Sequence, residues 1–156
     1  MKRKNILLVV KNMENSKKFY RHILGLKVLL DFNGHVTLSS GIVLQSYETW
    51  KDLIRKEDKD IHLQNHACEL YFEVEDIDIF MYKLNDYNVP LVHPLKEQAW
   101  GQRVVRFYDP DGHMIEVSEC LKKVAKRFFS QGLSYEEIAK RMNVPVDYIR
   151  RILKNR

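Results

Sequence analysis

The 156-residue sequence lacks the marks of several protein classes. Its only cysteines are Cys68 and Cys120, and without a CxxC spacing they predict neither a disulfide framework nor a zinc framework. No apolar run approaches the roughly 18–20 residues of a membrane span. The apolar run that ends at Val10 is too short for a secretory signal. These absences predict a protein of the reducing cytoplasm that makes no membrane contact.

Three common catalytic patterns are missing as well. The sequence contains no Ser-His-Asp arrangement, no glycine-rich loop of the kind that binds phosphate, and no HExxH motif. The Asp-Pro-Asp-Gly run at residues 109–112 is typical of a turn, and we predict no catalytic role for it.

Charge is distributed unevenly along the chain. Residues 121–156 contain ten Lys or Arg and three Asp or Glu, a net charge of +7. Residues 1–120 contain 16 basic and 18 acidic side chains, a net charge of −2. This asymmetry predicts a balanced body and a basic extension with different roles.

The order of predicted elements repeats within the body. Residues 5–46 have the pattern β-α-β-β-β, and the same order recurs over residues 67–118. Residues 47–66 form a charged connection between the two modules. In the second module, Asp76–Leu84 is predicted to be a helix with Ile79, Phe80 and Leu84 facing inward.

Two segments resemble the opening and closing modules of the vicinal oxygen chelate superfamily, which includes glyoxalase I, bleomycin-resistance proteins and extradiol dioxygenases. The opening segment is Val10–Tyr20 with Leu24-Gly25-Leu26, and the closing segment is Phe107–Glu116. The resemblance covers about residues 5–118. It implies an α+β fold in which paired βαβββ modules form a cupped mixed sheet, with residues 1–120 as one glyoxalase-like domain.

The resemblance also implies four ligand positions for a divalent metal. They lie on the first and last strands of the two modules and are occupied here by Asn5, Gln45, Glu69 and Glu116. Because none of them is histidine, the set suits Mg²⁺ or Mn²⁺ better than a softer metal. It is equally compatible with no metal, as in the drug-binding members of the superfamily.

Glu69 and Glu116 are the predicted catalytic residues. Strand alternation places Glu116 on one face with Met114 and Ser118, and two carboxylates in one pocket can share a proton and supply a general base. The alternative is that both are solvated strand carboxylates. We expect Glu116→Gln to weaken ligand or metal binding more than tenfold, about 1.4 kcal/mol. Cys68, opposite in parity to Glu69, is predicted to be a core thiol.

Four further residues are predicted to bind the ligand. Gln45 supplies a neutral oxygen, while His93 and Trp100 form a pocket wall or lid, unless that segment is only a packed loop. Arg103 and Arg106 have opposite strand parity, so at most one faces the pocket. We predict that Arg103 is the arginine that faces the pocket. An arginine in this position favours a ligand with a carboxylate or a phosphate.

Residues 121–156 are predicted to form three helices. Their limits are Leu121–Ser130, Tyr135–Met142 and Val146–Leu153, with a capping box at Ser134 and Glu137 and a left-handed turn at Asn143. The last two helices resemble a helix-turn-helix.

Two roles are open for this extension. Arg150, Arg151, Lys154 and Arg156 can meet DNA phosphates. The last helix begins with Pro145, Val146 and Asp147, however, which are poor readers of base edges. We therefore favour a packing or dimer appendage and expect only weak DNA retention without sequence preference.

The predicted function is that of a cytoplasmic, glyoxalase-related small-molecule protein. If it is an enzyme, the resemblance implies a lyase or isomerase acting on a polar carbonyl metabolite, with a divalent metal as the one cofactor considered. The alternatives are a ligand-sensing transcriptional regulator and a metal-free resistance or sequestration protein. Because small members of the superfamily commonly pair across a two-fold axis, we expect a homodimer.

Overall fold

The computed structural model describes residues 5–154. The first module contains β1 (Ile6–Val10), α1 (Met13–Leu24), β2 (Val28–Phe32), β3 (His35–Leu38) and β4 (Ile42–Ser46). The connection contains α2 (Tyr47–Ile54). The second module contains β5 (Glu69–Val74), α3 (Ile77–Asp86), β6 (Leu91–Glu97), β7 (Arg103–Tyr108) and β8 (Met114–Glu119). The chain continues with α4 (Leu121–Ser130), α5 (Tyr135–Met142) and α6 (Val146–Lys154).

Each module forms one four-stranded sheet. The strand order is β1-β4-β3-β2 in the first sheet and β5-β8-β7-β6 in the second. In the first sheet β4 pairs in parallel with β1 and antiparallel with β3. The first, fourth, third and second strands of each module are therefore neighbours in that order, which confirms the predicted α+β fold with paired βαβββ modules.

The chain divides into two compact units. One runs to Glu69 and also includes Tyr108–Met114, and the other consists of Leu70–Phe107 and the chain from Ile115 onward. The second unit therefore holds the three C-terminal helices together with most of the second sheet. The domain boundary at residue 120 stays a prediction. No helix in the part of the chain that the structure describes is long and apolar enough to cross a membrane.

Local signals set the limits of α1. The Asn12 side chain accepts a hydrogen bond from the Asn15 N–H at 3.0 Å, which satisfies one of the donors left free at the helix start. The helix ends at Gly25, whose φ of 69° is a left-handed conformation that glycine adopts at little cost. The inner face of α1 buries Tyr20 and Ile23 in the core of the first unit.

The Asp-Pro-Asp-Gly turn is held by its first residue. The Asp109 carboxylate accepts hydrogen bonds from the backbone N–H groups of Asp111 at 2.9 Å and His113 at 2.8 Å. It also accepts one from the buried Tyr20 hydroxyl at 2.8 Å. Gly112 supplies the positive φ, 86°, that the turn requires. The predicted turn is confirmed, and Asp109 stabilises it.

Two sequence predictions about burial are wrong. Ile79 is 65% exposed, because Ile77, Phe80 and Leu84 form the buried face of α3 at intervals of three and four residues and Ile79 lies off that face. Cys68 is exposed rather than a core thiol. Strand alternation does not apply to it, because it lies before the first residue of β5.

The C-terminal helices share a hydrophobic cluster. Its fully or nearly buried members are Val124, Ala125, Phe128, Ile138, Ala139, Met142 and Ile149. The predicted capping box of Ser134 and Glu137 is present at the start of α5, and Asn143 ends that helix with a φ of 54°. The capping box lowers the pKa of the Glu137 carboxyl through hydrogen bonds from the backbone and side chain of Ser134.

Candidate functional site

Strands β7 and β8 divide their side chains between two faces. Phe107, Ile115 and Val117 are completely buried, and the Phe107 ring packs 5.8 Å from that of Phe80 on α3. Because side chains alternate along a strand, Glu116 lies on the opposite face from these residues. This confirms the predicted face of Glu116 and marks the polar face of the second sheet as the candidate site.

An ion pair lies at the centre of this polar face. The Glu116 carboxylate is 7% exposed and is bound by the guanidinium of Arg106, whose side chain is 28% exposed. His93, opposite Arg106 in the β6–β7 register, places its Nε2 at 3.3 Å from Arg106 Nη1. Because His93 Nδ1 lies 2.8 Å from the Pro94 carbonyl oxygen and must donate to it, Nε2 is the acceptor for the guanidinium. Arg106 is therefore fixed between Glu116 and His93.

A network of hydrogen-bonded side chains lies on the same sheet. Gln102 donates to the Ser118 hydroxyl at 3.2 Å and to the Glu119 carbonyl oxygen at 2.8 Å. Its side-chain oxygen accepts from the Trp100 indole N–H at 3.0 Å. The Ser118 hydroxyl lies 2.8 Å from the Tyr71 hydroxyl. This hydrogen-bonded network fixes the side chain of Trp100, which is 40% exposed.

The Tyr71 hydroxyl belongs to the same hydrogen-bonded network. Desolvation raises the pKa of this hydroxyl, and its bond to Glu73, at 2.9 Å, acts in the same direction. Tyr71 therefore remains a neutral hydrogen-bonding group at physiological pH.

Arg103 is engaged elsewhere. Its guanidinium binds both carboxylate oxygens of Asp78, at 3.0 and 3.1 Å, and the carboxylate of Glu119 at 3.3 Å. Strand alternation puts it on the helix-covered face of the sheet, so Arg106 is the arginine that shares a face with Glu116. The ligand-binding role of Arg103 stays a prediction.

Sequence reasoning missed the importance of Arg106, although a signal was present. The Asp-Pro-Asp-Gly turn joins two strands, and Arg106 and Glu116 are both a few residues from its ends. Residues at similar distances from a hairpin turn come to lie opposite each other. Opposite charges at these two positions therefore indicate a cross-strand ion pair.

The other predicted metal positions lie on different parts of the chain. Gln45 is buried in β4, where its side-chain oxygen is 2.9 Å from His35 Nδ1 and its amide donates to the Thr49 hydroxyl. Asn5 is exposed immediately before β1, and Glu69 is the exposed first residue of β5. The structure thus connects Glu116, His93 and Trp100 with the polar face of the second sheet, while Gln45 and Asn5 belong to the first unit.

These four positions do not fit a divalent cation as they stand. Mg²⁺ and Mn²⁺ need several oxygen donors directed at one point, but the Gln45 amide is held by His35 and Thr49 and the Glu116 carboxylate by Arg106. Among residues 5–154, no three His, Cys, Asp or Glu side chains are grouped so that they could hold a metal ion. A cation at Glu116 would have to displace a guanidinium of the same sign.

Comparison with protein families gives one matching model. It is described as a glyoxalase-like domain, and it matches residues 3–122 of this chain. The match covers both modules and ends at the start of α4.

Relatives of known sequence or structure agree with this match. The uncharacterized protein YraH of Bacillus subtilis is 30% identical over an alignment of 128 residues that covers 78% of this chain and 100% of YraH. A solved protein of unknown function from Agrobacterium tumefaciens is 40% identical, with a TM-score of 0.69 over 77% of this chain and 94% of its own. A glyoxalase/bleomycin resistance protein/dioxygenase family enzyme from Burkholderia phytofirmans shares the fold at 12% identity, with a TM-score of 0.67 over 76% of this chain and 98% of its own.

Proposed function

The chain belongs to the glyoxalase-like domain family, and on that premise we propose that it binds a small metabolite with a carboxylate beside a carbonyl group on the polar face of the second sheet. One observation carries the proposal. The Arg106 guanidinium is held between Glu116 and His93 and is still partly exposed. A planar guanidinium in a fixed orientation is the protein group best suited to binding a carboxylate through two hydrogen bonds.

The catalytic form of this function is that of an isomerase or lyase. Glu116 removes a proton from the carbon next to the carbonyl, and Arg106 stabilises the negative charge that develops on the oxygen. Return of that proton to a different carbon gives an isomer, whereas departure of a group from the neighbouring carbon gives an elimination product. Glu69 stays the second predicted carboxylate for this chemistry.

A second candidate is a binding protein without turnover, as in resistance or sequestration. The observation in its favour is the ion pair itself, because a carboxylate that already neutralises a guanidinium is a poorer base than a free one. This form needs only Arg106 and its neighbours to hold the ligand. None of the relatives reported above is named as a regulator, so the ligand-sensing regulator gains no support from them.

The proposed function can be tested with 2-oxobutanoate as the probe. Calorimetric titration compares it with butanoate, which lacks the carbonyl, and with butanone, which lacks the carboxylate. We expect the oxo acid to bind tightest, and Arg106→Gln to weaken its binding at least tenfold, about 1.4 kcal/mol. Arg21→Gln, which removes an exposed arginine of α1, is the matched control and should bind like the parent.

Different outcomes separate the alternatives. Exchange of the protons on carbon 3 with deuterium, followed by proton NMR, indicates the catalytic form, whereas binding without exchange indicates the sequestering form. Equal binding of butanone and the oxo acid, or equal losses in the Arg106 and Arg21 variants, contradicts the proposal. Tight binding of Mg²⁺ or Mn²⁺ that disappears in Glu116→Gln would establish the metal site instead.

A further inference from the structure

The exposed face of α6 is strongly basic. Asp147, Arg150, Arg151 and Lys154 follow one another at intervals of three, one and three residues, so they lie on one side of the helix, and all four are exposed. The opposite side is apolar and packs inside the helical extension, with Ile149 fully buried. The helix therefore presents three cations and one anion to solvent.

Two of these cations have no carboxylate partner among the described residues. Arg150 binds Glu136 at 2.9 Å and Asp147 at 3.2 Å. Arg151 instead lies over the Tyr148 ring, 5.5 Å from its centroid, and Lys154 forms no ion pair within residues 5–154. Positive charge on this face is therefore only partly neutralised by the protein itself.

The helices α4 to α6 lie almost entirely outside the part of the chain shared with relatives. The family model ends at residue 122, and YraH is matched over its full length by 78% of this chain. The match to the glyoxalase-like domain is thus complete before α5 and α6 begin. Because this basic helix lies outside that domain, its own charge indicates the partner that it binds.

We propose that α6 binds the phosphate backbone of duplex DNA without sequence preference. An α-helix with its side chains is about 10–12 Å in diameter, which fits the major groove of B-DNA, about 12 Å wide. Phosphates complement Arg151 and Lys154 directly and compete with Asp147 for Arg150. The first turn offers Val146 and Asp147, which do not read base edges, so the binding depends on charge alone.

The same features disfavour two other polyanionic partners. A helix that binds a membrane surface presents apolar side chains to it, but the apolar side of α6 is packed against α4 and α5. The major groove of an RNA duplex is too deep and narrow for a helix to enter. Duplex DNA is therefore the partner that matches both the charge and the size of α6.

The test measures fluorescence anisotropy of a labelled DNA duplex of about 20 base pairs with the full chain, between about 50 and 200 mM salt. The variant Arg151→Gln/Lys154→Gln removes two cations, and Lys18→Gln/Lys27→Gln removes two exposed lysines elsewhere as the matched control. We expect the α6 variant to bind at least tenfold more weakly. The slope of log affinity against log salt should fall by about 1.8, which is two contacts at about 0.9 each.

A third variant changes binding in the opposite direction. Asp147→Asn removes the one anion of the face and leaves Arg150 with only Glu136, so we expect DNA to bind about two- to fivefold more tightly. Circular dichroism confirms that each variant is folded.

Four results would overturn the proposal. The first is failure of the parent chain to bind at the lowest salt, and the second is an equal loss in the Lys18/Lys27 control. The third is unchanged or weaker binding in Asp147→Asn. The fourth is equal or tighter binding to an RNA duplex or to phosphatidylserine vesicles.

Discussion

Arg106 and Glu116 neutralise each other on the polar face of the second sheet. An anionic ligand that binds Arg106 must therefore compete with the Glu116 carboxylate, whereas a cation that binds Glu116 must compete with Arg106. Replacing Glu116 by a neutral residue is therefore expected to strengthen the binding of an anion and to weaken the binding of a cation. The tenfold weaker binding that the sequence predicts for Glu116→Gln therefore applies to a metal ion and not to an anionic ligand.

Glu116→Gln should tighten the binding of 2-oxobutanoate about three- to tenfold, because it removes the carboxylate that competes for Arg106. The free energy of unfolding should fall by about 1–2 kcal/mol, less than for a fully buried pair, because the partly exposed Arg106 can be hydrated. Calorimetry and urea unfolding measure these changes, with Glu14→Gln, an exposed carboxylate of α1, as control. Weaker binding of the oxo acid would show that Glu116 contacts the ligand itself.

Tyr20 supplies a second residue-level prediction, which concerns alkaline pH. Burial, and then the nearby Asp109 carboxylate, raise the pKa of the Tyr20 hydroxyl well above its usual value of 10.0. Above pH 10 the unfolded chain loses this proton while the folded chain keeps it, so stability falls as the pH rises.

We expect Tyr20→Phe to lower the free energy of unfolding at neutral pH by about 1–2 kcal/mol, because Asp109 loses a buried donor. The variant should also lose less stability than the parent between pH 9 and 11, a range that spans the usual tyrosine pKa of 10.0 at which the unfolded chain ionises. Urea unfolding across this range provides the measurement. Tyr82→Phe, at a position 73% exposed, is the control, and an alkaline slope unchanged in Tyr20→Phe would contradict the prediction.

At the level of elements, α4 packs on the loop between β6 and β7. Phe128 of α4 lies against Gly101, and a Cβ added at Gly101 would come within 2.1 Å of the Phe128 ring. On the same side, Arg127 of α4 binds the Gly101 carbonyl oxygen and the buried Glu119 carboxylate. The glycine is therefore required both by its φ of +90° and by the close approach of the ring.

Gly101→Ala should destabilise the protein by about 2–4 kcal/mol, because it adds an overpacking cost to the backbone cost. Gly132 provides a matched control, since its φ is +89° and nothing lies within 4 Å of an added Cβ. Gly132→Ala should cost only about 1 kcal/mol. Thermal unfolding compares the two variants, and equal losses would mean that the ring moves away without cost.

For the whole molecule, the first sheet has an exposed apolar edge. β2 is the outermost strand of that sheet, and Leu29, Leu30 and Phe32 are 65%, 53% and 48% exposed. An edge strand with unpaired backbone groups and exposed apolar side chains favours pairing with another chain. We therefore expect a second copy of this protein to cover β2 in a homodimer.

Light scattering at micromolar concentration should give twice the monomer mass of 18.6 kDa. Leu29→Lys should shift the protein towards the monomer, because it puts a charge on the edge strand. Leu53→Lys, which changes a leucine of α2 that is 68% exposed, should leave the mass unchanged. A parent chain of monomer mass would contradict the prediction.

Local signals in the sequence were sufficient to predict most elements. The ends of α4 and α5 coincide with the predicted limits, because helix caps depend on residues only a few positions apart. The face of Glu116 was predictable because side chains alternate along a strand. Ile79 was misplaced because it lies off the helix face that Ile77, Phe80 and Leu84 share, and Cys68 because it lies outside the strand.

The partners of the site residues required the tertiary structure. Nothing in the sequence indicates Asp78 as the partner of Arg103, which only the packing of α3 decides. The places of Arg106 and Glu116 beside the turn indicate their ion pair, and the pairing of the strands establishes it. The hydrogen bonds of Gln45 to His35 and Thr49 likewise join residues from different elements. A periodic pattern specifies the side to which a side chain points, but its partner depends on which other elements pack there.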